Sequence, residues 1–420
     1  MKKFAPTTEA ELSEVIASAT APFELTAGGS KLGFGHRIAC DQRLDLTGFN
    51  QVRLYEPHEL IVAAGAATPL TSLNQLLAAK SQILTFEPPD WRWLLNGGSK
   101  AEWRSRPDPA TIGGVIATNL SGSARLKAGA ARDSLLGFHG VNGLGEVIHG
   151  GGRVVKNVTG YDLPKLIAGS FGTLVAMTDV TLKAMPAPED ETTLVIFGLT
   201  AAEGIAAAAR ALNSPHEIHC AAYLPPAAAN LAGLTDGAVL LRLVGSTPSI
   251  KPRSDAVIAL LAVKGEVIRM AAAASQVLWQ RVGNGELLPE LEPTSRMQQV
   301  IWRLSVAPQS AAGLMEKLVR EFAEYELRLD HYFDWAGGMV LLSLIGSPQS
   351  LALVEDAVVI RRAIQDHGGG HATLLRSPKN QPEIFEPLAP SLAALTARVK
   401  ASFDPHSLLN PGKIYGRITA

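Results

Sequence analysis

Residues 26–35 read TAGGSKLGFG and directly follow a short apolar strand pattern at residues 23–26. Glycines at such a place let backbone N–H groups approach and surround an anion. The spacing differs from a phosphate-binding loop with Gly-Lys-Ser/Thr after four spacers, and from a G-x-G-x-x-G turn that opens a helix. Taken alone, the stretch fits an anion-binding loop and an ordinary Gly-rich turn equally well.

Further clusters of Gly, Ser and Thr follow along the first half of the chain. They read TIGGVIATNLSG at 111–122, GGGR at 150–153, VKNVTGYDL at 155–163 and AGSFGTL at 168–174. A wall of backbone and short side chains leaves room for a flat ring close to it. Structural glycines explain any one cluster, whereas the ordered series favours one extended cofactor site.

Composition limits the class of protein. The chain has 420 residues, which corresponds to two or three domains, and 38 Lys+Arg against 39 Asp+Glu give a net charge of −1. No global positive field would attract nucleic acid or an anionic membrane, so neither is expected as a direct partner. With 47% hydrophobic and 18% charged residues the chain is globular, not disordered.

The cysteine and histidine content argues against a metal site. Cys40 and Cys220 are too few for a disulfide framework, a multi-thiolate metal site or an iron-sulfur cluster. The close histidine pairs, 216 with 219 and 367 with 371, lack acidic residues in a metal-like arrangement. We therefore predict no metal site and a reducing compartment.

The chain shows no targeting or membrane-spanning pattern. Glutamates at 9, 11 and 14 stand where a signal peptide would need an apolar core. The longer apolar runs, such as residues 256–263, fall short of the roughly 20 residues that span a bilayer. We expect a cytoplasmic protein that reaches the inner face of the plasma membrane only through a complex.

A Pro-rich break at residues 185–190 divides the chain. The region 1–188 alternates short strands with Gly-rich turns, as in an α+β domain. In the region 189–376, strand and helix patterns recur in the same order twice, which predicts a ferredoxin-like sheet built from two βαβ-type halves. The segment 377–420 carries a helix pattern and an Asn-Pro-Gly turn at 410–412, and we expect it to return to the first domain.

The order GGSKLG, ATIGGVIATNLSG, RDSLLG, KNVTGYDLPKLIAGSFGTL and VTLKAMP resembles the FAD-binding domain of the vanillyl-alcohol oxidase/PCMH flavoprotein family. Within it, the chain is similar to FAD-binding subunits of bacterial glycolate-oxidising complexes. The resemblance implies a PCMH-type FAD-binding domain with a ferredoxin-like cap. It also implies oxidation of glycolate, a small 2-hydroxy acid, to glyoxylate, together with a homologous FAD subunit and an iron-sulfur subunit that takes the electrons.

The resemblance also assigns the cofactor-binding residues. They wrap the pyrophosphate of FAD, border the flavin ring, or, in one case, approach the adenosine side through the backbone. Relatives with covalent flavin use a His in the phosphate loop, where this chain has Ser and Lys, so non-covalent FAD is expected. The residues are Ala27, Gly28, Gly29, Ser30, Lys31, Leu32, Gly33, Thr111, Ile112, Gly113, Gly114, Asn119, Ser121, Gly122, Gly172, Thr173 and Val180.

Oxidation of a 2-hydroxy acid needs a cation for the carboxylate and a base for the hydroxyl proton. Arg303 and Arg376 are candidate cations, and His371 and Tyr161 are candidate acid/base groups. Each also fits a structural role: Arg303 as a solvated sheet residue, and His371, beside three glycines, as part of a turn.

Residues 89–109 depart from the family pattern and contain three tryptophans with three arginines. A subunit contact is the favoured functional interpretation, because Trp and Arg are enriched in interfaces. A lid and an ordinary packed loop stay open. Two alternatives to the catalytic subunit also remain: a structural or electron-relay subunit that oxidises nothing itself, and a stand-alone flavin oxidase.

Overall fold

The computed structural model describes residues 1–152, 160–379 and 383–415. The strands of the first unit are β1 (Lys2–Phe4), β2 (Phe23–Thr26), β3 (Gln42–Asp45), β4 (Val52–Glu56), β5 (Ile61–Gly65), β6 (Gln82–Ile83), β7 (Leu135–Asn142), β8 (Val147–Gly151), β9 (Val175–Lys183) and β10 (Met185–Pro186). Its helices are α1 (Glu9–Ala17), α2 (Leu70–Ala78), α3 (Arg92–Asn96), α4 (Lys100–Ser105), α5 (Ile112–Thr118), α6 (Arg125–Ala128), α7 (Ala131–Ser134) and α8 (Leu163–Ile167).

Two sheets organise the first unit. The strands β1, β3 and β2 form a parallel sheet in that order, and α1 makes the crossover between β1 and β2. The strands β4-β5-β9-β7-β8 form an antiparallel sheet. Leu12 and Ile16 of α1 pack with Phe23 and Leu44 in a core between the two sheets. The loop after β2 is thereby fixed beside the antiparallel sheet.

The second unit contains the remaining strands, β11 (Asp190–Phe197), β12 (Cys220–Leu224), β13 (Ala238–Gly245), β14 (Val267–Met270), β15 (Gln298–Val306), β16 (Arg328–Asp334), β17 (Met339–Gly346) and β18 (Gly370–Arg376). Its helices are α9 (Ala201–Leu212), α10 (Pro226–Ala232), α11 (Thr247–Leu261), α12 (Ala272–Gly283), α13 (Pro308–Ala323), α14 (Pro348–Ala352) and α15 (Asp356–Asp366), and α16 (Pro390–Phe403) follows in the tail.

One antiparallel sheet spans the second unit, in the order β14-β11-β13-β12-β16-β17-β15-β18. Each half has its main helices after its first and third strands, which is the β-α-β-β-α-β order of a ferredoxin-like unit. The halves join where β12 pairs with β16. The sequence pattern had indicated β11, β13, β15 and β17, but not the four strands between or beside them. The strands β12 (CAAYL) and β14 (VIRM) are short, and β16 (RLDHYFD) and β18 (GHATLLR) mix apolar with polar or charged residues, so none has a long apolar run.

The two faces of this sheet have different neighbours. One face packs on α9, α11, α13 and α15, with Trp302 and Phe333 in the core. The other face packs on α12 and on the first unit, and this core contains Trp91 and Leu120 beside Tyr332. Side chains on the second face therefore point toward the first unit.

The Trp-rich segment 89–109 forms part of this contact between units. Trp91 and Trp93 are 3% and 4% exposed, and the Trp91 indole N–H donates to the carbonyl of Gly283 at 2.9 Å. The Lys100 ammonium donates to the carbonyl of Glu286 at 3.0 Å. The favoured expectation of a subunit contact is therefore wrong for Trp91 and Trp93, whose rings pack inside the chain.

The tail lies against the first unit. The N–H of Phe23 donates to the carbonyl of Leu408 at 2.8 Å, and the N–H of Asn410 donates back to the carbonyl of Phe23 at 3.1 Å. Residues 408–410 thereby extend along β2 and come close to the loop that follows it.

Candidate cofactor and substrate site

A cavity of about 130 Å³ lies where β2, α5 and the tail meet. Its lining is apolar or small apart from a few polar groups. The lining residues are Leu25, Thr26, Ala27, Gly28, Gly29, Ser30, Lys31, Leu32, Leu46, Ala66, Thr111, Gly113, Gly114, Ala117, Thr118, Phe171, Gly172, Val175, Met177, Asn410 and Lys413.

The loop after β2 presents backbone donors to this cavity. The N–H groups of Gly28, Gly29, Ser30 and Lys31 donate no hydrogen bond to any residue that the structure describes. A Cβ at Gly28 would lie 1.6 Å from the carbonyl oxygen of Pro109, so only glycine fits there. Gly29 has a φ of +78°, which disfavours residues with a side chain. Gly28, Ser30 and Lys31 are partly buried and Gly29 is exposed, and converging backbone donors of this kind are suited to an anionic ligand.

Helix α5 forms the opposite wall. The Thr111 hydroxyl accepts from the N–H of Gly114 at 3.3 Å and caps the helix. A Cβ at Gly113 would lie 2.6 Å from the carbonyl oxygen of Ala66, whereas one at Gly114 would meet only the Thr111 hydroxyl, at 3.3 Å. Gly113 thus lets the helix pack closely on the neighbouring strand, and Gly114 keeps the cavity side free of side chains.

Two ammonium groups border the cavity without a carboxylate partner among the described residues. The Lys31 ammonium lies 3.0 Å from the Ser30 hydroxyl, and the Lys413 ammonium donates to the carbonyl of Leu32 at 2.8 Å. Burial lowers the pKa of each of these lysines to about 8. A bound anion would stabilise both charges. In the sequence, only its place after the Asn-Pro-Gly turn distinguishes Lys413 from other lysines.

Asn410 links three parts of the cavity wall. Its side-chain oxygen accepts from the N–H of Leu25 at 2.7 Å, and its side-chain nitrogen donates to the carbonyl of Phe171 at 2.8 Å. Phe171 and Gly172 both have positive φ, so this turn is held in a conformation that is unfavourable for Phe171. Asn410 therefore ties the tail to the strand and the turn that carry the cofactor wall, a role that its turn motif did not indicate.

The predicted cofactor residues divide into two groups. Those that line the cavity are Ala27, Gly28, Gly29, Ser30, Lys31, Leu32, Thr111, Gly113, Gly114 and Gly172. Those outside its lining are Gly33, Ile112, Asn119, Ser121, Gly122, Thr173 and Val180.

Several members of the second group have structural contacts instead. Val180 and Ile112 are fully buried in the core of the first unit. The Asn119 side chain accepts from the N–H of Arg132 at 2.9 Å, and the Ser121 hydroxyl accepts from the N–H of Ala131 at 2.9 Å. Contact of these residues with FAD stays a prediction.

Arg303 and His371 lie on the face of the second sheet that points to the first unit. Arg303 pairs with Thr373 and Ser305 pairs with His371 in neighbouring strands, so the four side chains share this face. The Arg303 guanidinium lies 5.7 Å from the Trp91 ring centre and has no carboxylate partner among the described residues. Burial lowers its pKa to about 10. Loss of hydration lowers the pKa of His371, and the charge of Arg303 lowers it further.

The other two catalytic candidates lie elsewhere. The Arg376 guanidinium donates to the carbonyl of Trp93 at 2.7 Å and also to the Gln299 side chain, so it supports the packed Trp-rich segment. Tyr161 is 91% exposed. The structure therefore brings Arg303 and His371 together and leaves Arg376 and Tyr161 apart from them. Residues 155–159 of the VKNVTGYDL motif lie outside the described residues.

Among the residues that the structure describes, no group of three or more His, Cys, Asp or Glu is arranged to hold a metal ion. No helix in the same residues has the length and apolar character needed to cross a membrane.

Comparison with known proteins agrees with this geometry. Residues 3–151 match the family described as FAD binding domain. Glycolate oxidase subunit GlcE of Escherichia coli K12 is 28% identical over 408 residues, which is 97% of this chain and 96% of the relative. Glycolate oxidase subunit GlcD of Bacillus subtilis 168 is 26% identical over 74% of this chain and 70% of its own length. The crystal structure of p-cresol methylhydroxylase with substrate bound has the same fold, with a TM-score of 0.69 at 14% identity over 98% of this chain and 88% of that chain.

The fold is that of an FAD-binding α+β flavoprotein. Residues 3–151 match an FAD binding domain, and the chain is similar to a glycolate oxidase subunit over nearly its whole length. It is an FAD-linked oxidoreductase related to glycolate oxidase subunits.

Proposed function

We propose that this chain binds FAD non-covalently and acts as the FAD-binding subunit of a complex that oxidises glycolate to glyoxylate. The observation that carries the proposal is the loop of residues 28–31. Its free N–H groups face a cavity that also holds the Lys31 and Lys413 ammonium groups. Backbone donors together with two lysines of lowered pKa are suited to the two phosphates of FAD. When bound, FAD supplies a two-electron acceptor.

The cavity lining supports non-covalent binding. Among the described lining residues none is His, Cys or Tyr, the side chains that could form a bond to a flavin ring. Ser30 and Lys31 occupy the loop instead, where they hold phosphate oxygens without forming a covalent bond. Removal of FAD by mild denaturation and its return by dialysis would show this directly.

Arg303 and His371 support oxidation of a 2-hydroxy acid. A guanidinium without an acidic partner can bind a carboxylate through two parallel hydrogen bonds. Because the pKa of His371 is lowered, its imidazole is neutral at pH 7 and can accept the hydroxyl proton. The two side chains come from adjacent strands, so one small hydroxy acid can reach both.

The arrangement of the complex is part of the proposal. Residues 1–188 form the FAD-binding domain, residues 189–376 a ferredoxin-like cap, and residues 377–420 a segment that returns to the FAD domain. The two cysteines are too few for an iron-sulfur cluster, so a separate iron-sulfur subunit takes the electrons beside a homologous FAD subunit. The complex is cytoplasmic and peripheral at the membrane through its partners.

Anaerobic reduction by glycolate tests the proposal. The purified chain is loaded with FAD and mixed with glycolate, alone and with its partner subunits, and the flavin absorbance is followed. Bleaching by the chain alone places the substrate chemistry in it, and bleaching only with partners, unaffected by Arg303→Gln, indicates the relay alternative. A chain that binds no FAD contradicts the central claim. Gly114→Ala serves as the control without flavin.

A further inference from the structure

Arg125 provides a second guanidinium beside the substrate face. It begins helix α6, directly after the loop that follows α5, and its guanidinium lies 4.7 Å from the centre of the Trp335 ring. The side chain is half-buried. No carboxylate lies within ion-pair distance of it in the residues that the structure describes. Burial lowers the pKa of Arg125, because removing the charged guanidinium from water is unfavourable.

Arg125 and Arg303 approach the same place from opposite units. Each stacks on a tryptophan of the shared core, Arg303 on Trp91 and Arg125 on Trp335. Met339 follows the turn that carries Trp335, and it pairs with Ser305, which lies two residues from Arg303 on the same face. The turn under Arg125 therefore lies beside the part of the sheet that carries Arg303, and the charge of Arg125 also lowers the pKa of Arg303. Asp133 attracts Arg125 from beyond ion-pair distance, but neither arginine has a carboxylate in contact with it among the described residues. An anion between the two cations would therefore convert their mutual repulsion into attraction.

A hairpin of the second unit fixes the loop that carries Arg125. The Asp334 carboxylate accepts from the Ser123 hydroxyl at 2.6 Å, and the Trp335 indole N–H donates to the carbonyl of Gly122 at 3.1 Å. Trp335 and Ala336 both have positive φ, +51° and +52°, although neither is glycine. Backbone strain of this kind persists where surrounding contacts impose it, and it clusters at functional sites.

We propose that Arg125 and Arg303 form a two-sided clamp for the substrate carboxylate, with Trp335 as the residue that positions Arg125. The inference rests on the proposed function, since it adds a binding residue to the same site. One carboxylate has enough lone pairs to accept hydrogen bonds from both guanidiniums. The substrate class is therefore a small monocarboxylate whose charged end lies between the two units.

The test measures glycolate binding to the full FAD-loaded chain by calorimetry and by the change in flavin absorbance. Arg125→Gln and Arg303→Gln should each weaken binding about tenfold or more, which corresponds to losing a charge-assisted hydrogen bond. The double variant should lose less than the product of the two effects, because both residues hold one group. Trp335→Leu should weaken binding, whereas Trp335→Phe, which keeps a ring under Arg125, should retain most of it.

Arg106→Gln is the matched control, because Arg106 also stacks on a tryptophan, Trp103, but pairs with Glu102 at the surface. Normal glycolate binding by Arg125→Gln would overturn the clamp, as would loss of FAD in place of loss of glycolate binding. If the wild-type chain binds FAD but no glycolate, even with its partners, the proposed function and the clamp both fail. If wild type binds glycolate and only Arg303→Gln weakens it, the clamp alone is wrong.

Discussion

Asp334 and Ser123 form a hydrogen bond of 2.6 Å between two buried side chains, one from each unit. Asp334 is fully buried, and this burial raises its pKa to about 7, against the lowering effect of the bond from Ser123. The contact between the units therefore depends on a carboxyl group that titrates near neutral pH.

The raised pKa predicts a defined pH dependence of stability. The folded chain holds the proton of Asp334 more tightly than the unfolded chain, so this contribution is full below about pH 4 and is lost as the pH rises through about 7. In that window the free energy of unfolding should fall by up to ~1.4 kcal/mol per pH unit relative to Asp334→Asn, which does not titrate. Urea unfolding at pH 5, 6, 7 and 8 measures the difference. Asp255→Asn, at an exposed site whose pKa is lowered, should show no such trend.

A glycine series separates cofactor binding from folding. Gly28→Ala should lose both FAD and stability, because its Cβ would overlap the Pro109 carbonyl oxygen. Gly114→Ala should lose FAD, while the Tm of the FAD-free chain changes little, because its Cβ meets only the Thr111 hydroxyl at 3.3 Å. Gly313→Ala, in helix α13, where the added Cβ would lie 4.0 Å from the His367 ring, is the control. Equal FAD content in the Gly114 variant and the wild type would remove α5 from the cofactor wall.

FAD affinity should depend on pH through Lys31. Because burial lowers its pKa to about 8, the FAD-free chain begins to lose this charge above pH 8, and phosphate binding must restore the proton. The Kd for FAD should therefore be constant below pH 7 and rise above pH 8, by up to about tenfold per pH unit for one lysine. Lys31→Gln should weaken FAD binding by roughly 10- to 100-fold. It should also reduce the increase of the Kd above pH 8 to the smaller increase that deprotonation of Lys413 causes. Fluorescence quenching of FAD from pH 6 to 9.5 measures both. A Kd that is independent of pH in the wild type would contradict a role for these ammonium groups.

The Trp-rich segment should act as core. Trp91→Ala should lower the free energy of unfolding by about 3–5 kcal/mol, the usual cost of removing a buried aromatic side chain. Trp103→Ala, at a partly exposed ring, should cost clearly less. Denaturant unfolding of the two variants gives the comparison. If Trp91→Ala left stability unchanged and impaired only assembly with other subunits, the segment would be an interface after all.

The cofactor loop was accessible from the sequence because glycine restrictions are local. The positions of Gly28 and Gly113 follow from close backbone contacts that any side chain would block. The same reasoning did not find Lys413 and Asn410, since their roles depend on a tail that returns from the far end of the chain. Long-range contacts of this kind leave no periodicity in the sequence.

The sheet face that carries Arg303 and His371 also depends on long-range contacts that the sequence does not reveal. Arg303 and His371 come together because β15 and β18 pair, although they are far apart in the chain. Arg125 was not singled out, because the observation that matters is the absence of an acidic partner, which only the folded chain shows. The burial of Trp91 and Trp93 inside the chain was also not predicted. The Trp and Arg content of residues 89–109 had favoured an interface with another subunit.

Arg303 and Arg376 should respond in opposite ways to the same substitution. Arg376→Gln removes hydrogen bonds to the Trp93 carbonyl and to Gln299, so it should lower the free energy of unfolding by about 1–3 kcal/mol without weakening glycolate binding directly. Arg303→Gln removes a buried charge that has no acidic partner, so stability should stay equal or increase while glycolate binding falls. Parallel unfolding and binding measurements on the two variants decide between a structural and a binding arginine at each position. A loss of stability in Arg303→Gln with unchanged glycolate binding would mean that Arg303 is structural, since a residue kept for binding is retained in spite of its cost to the fold.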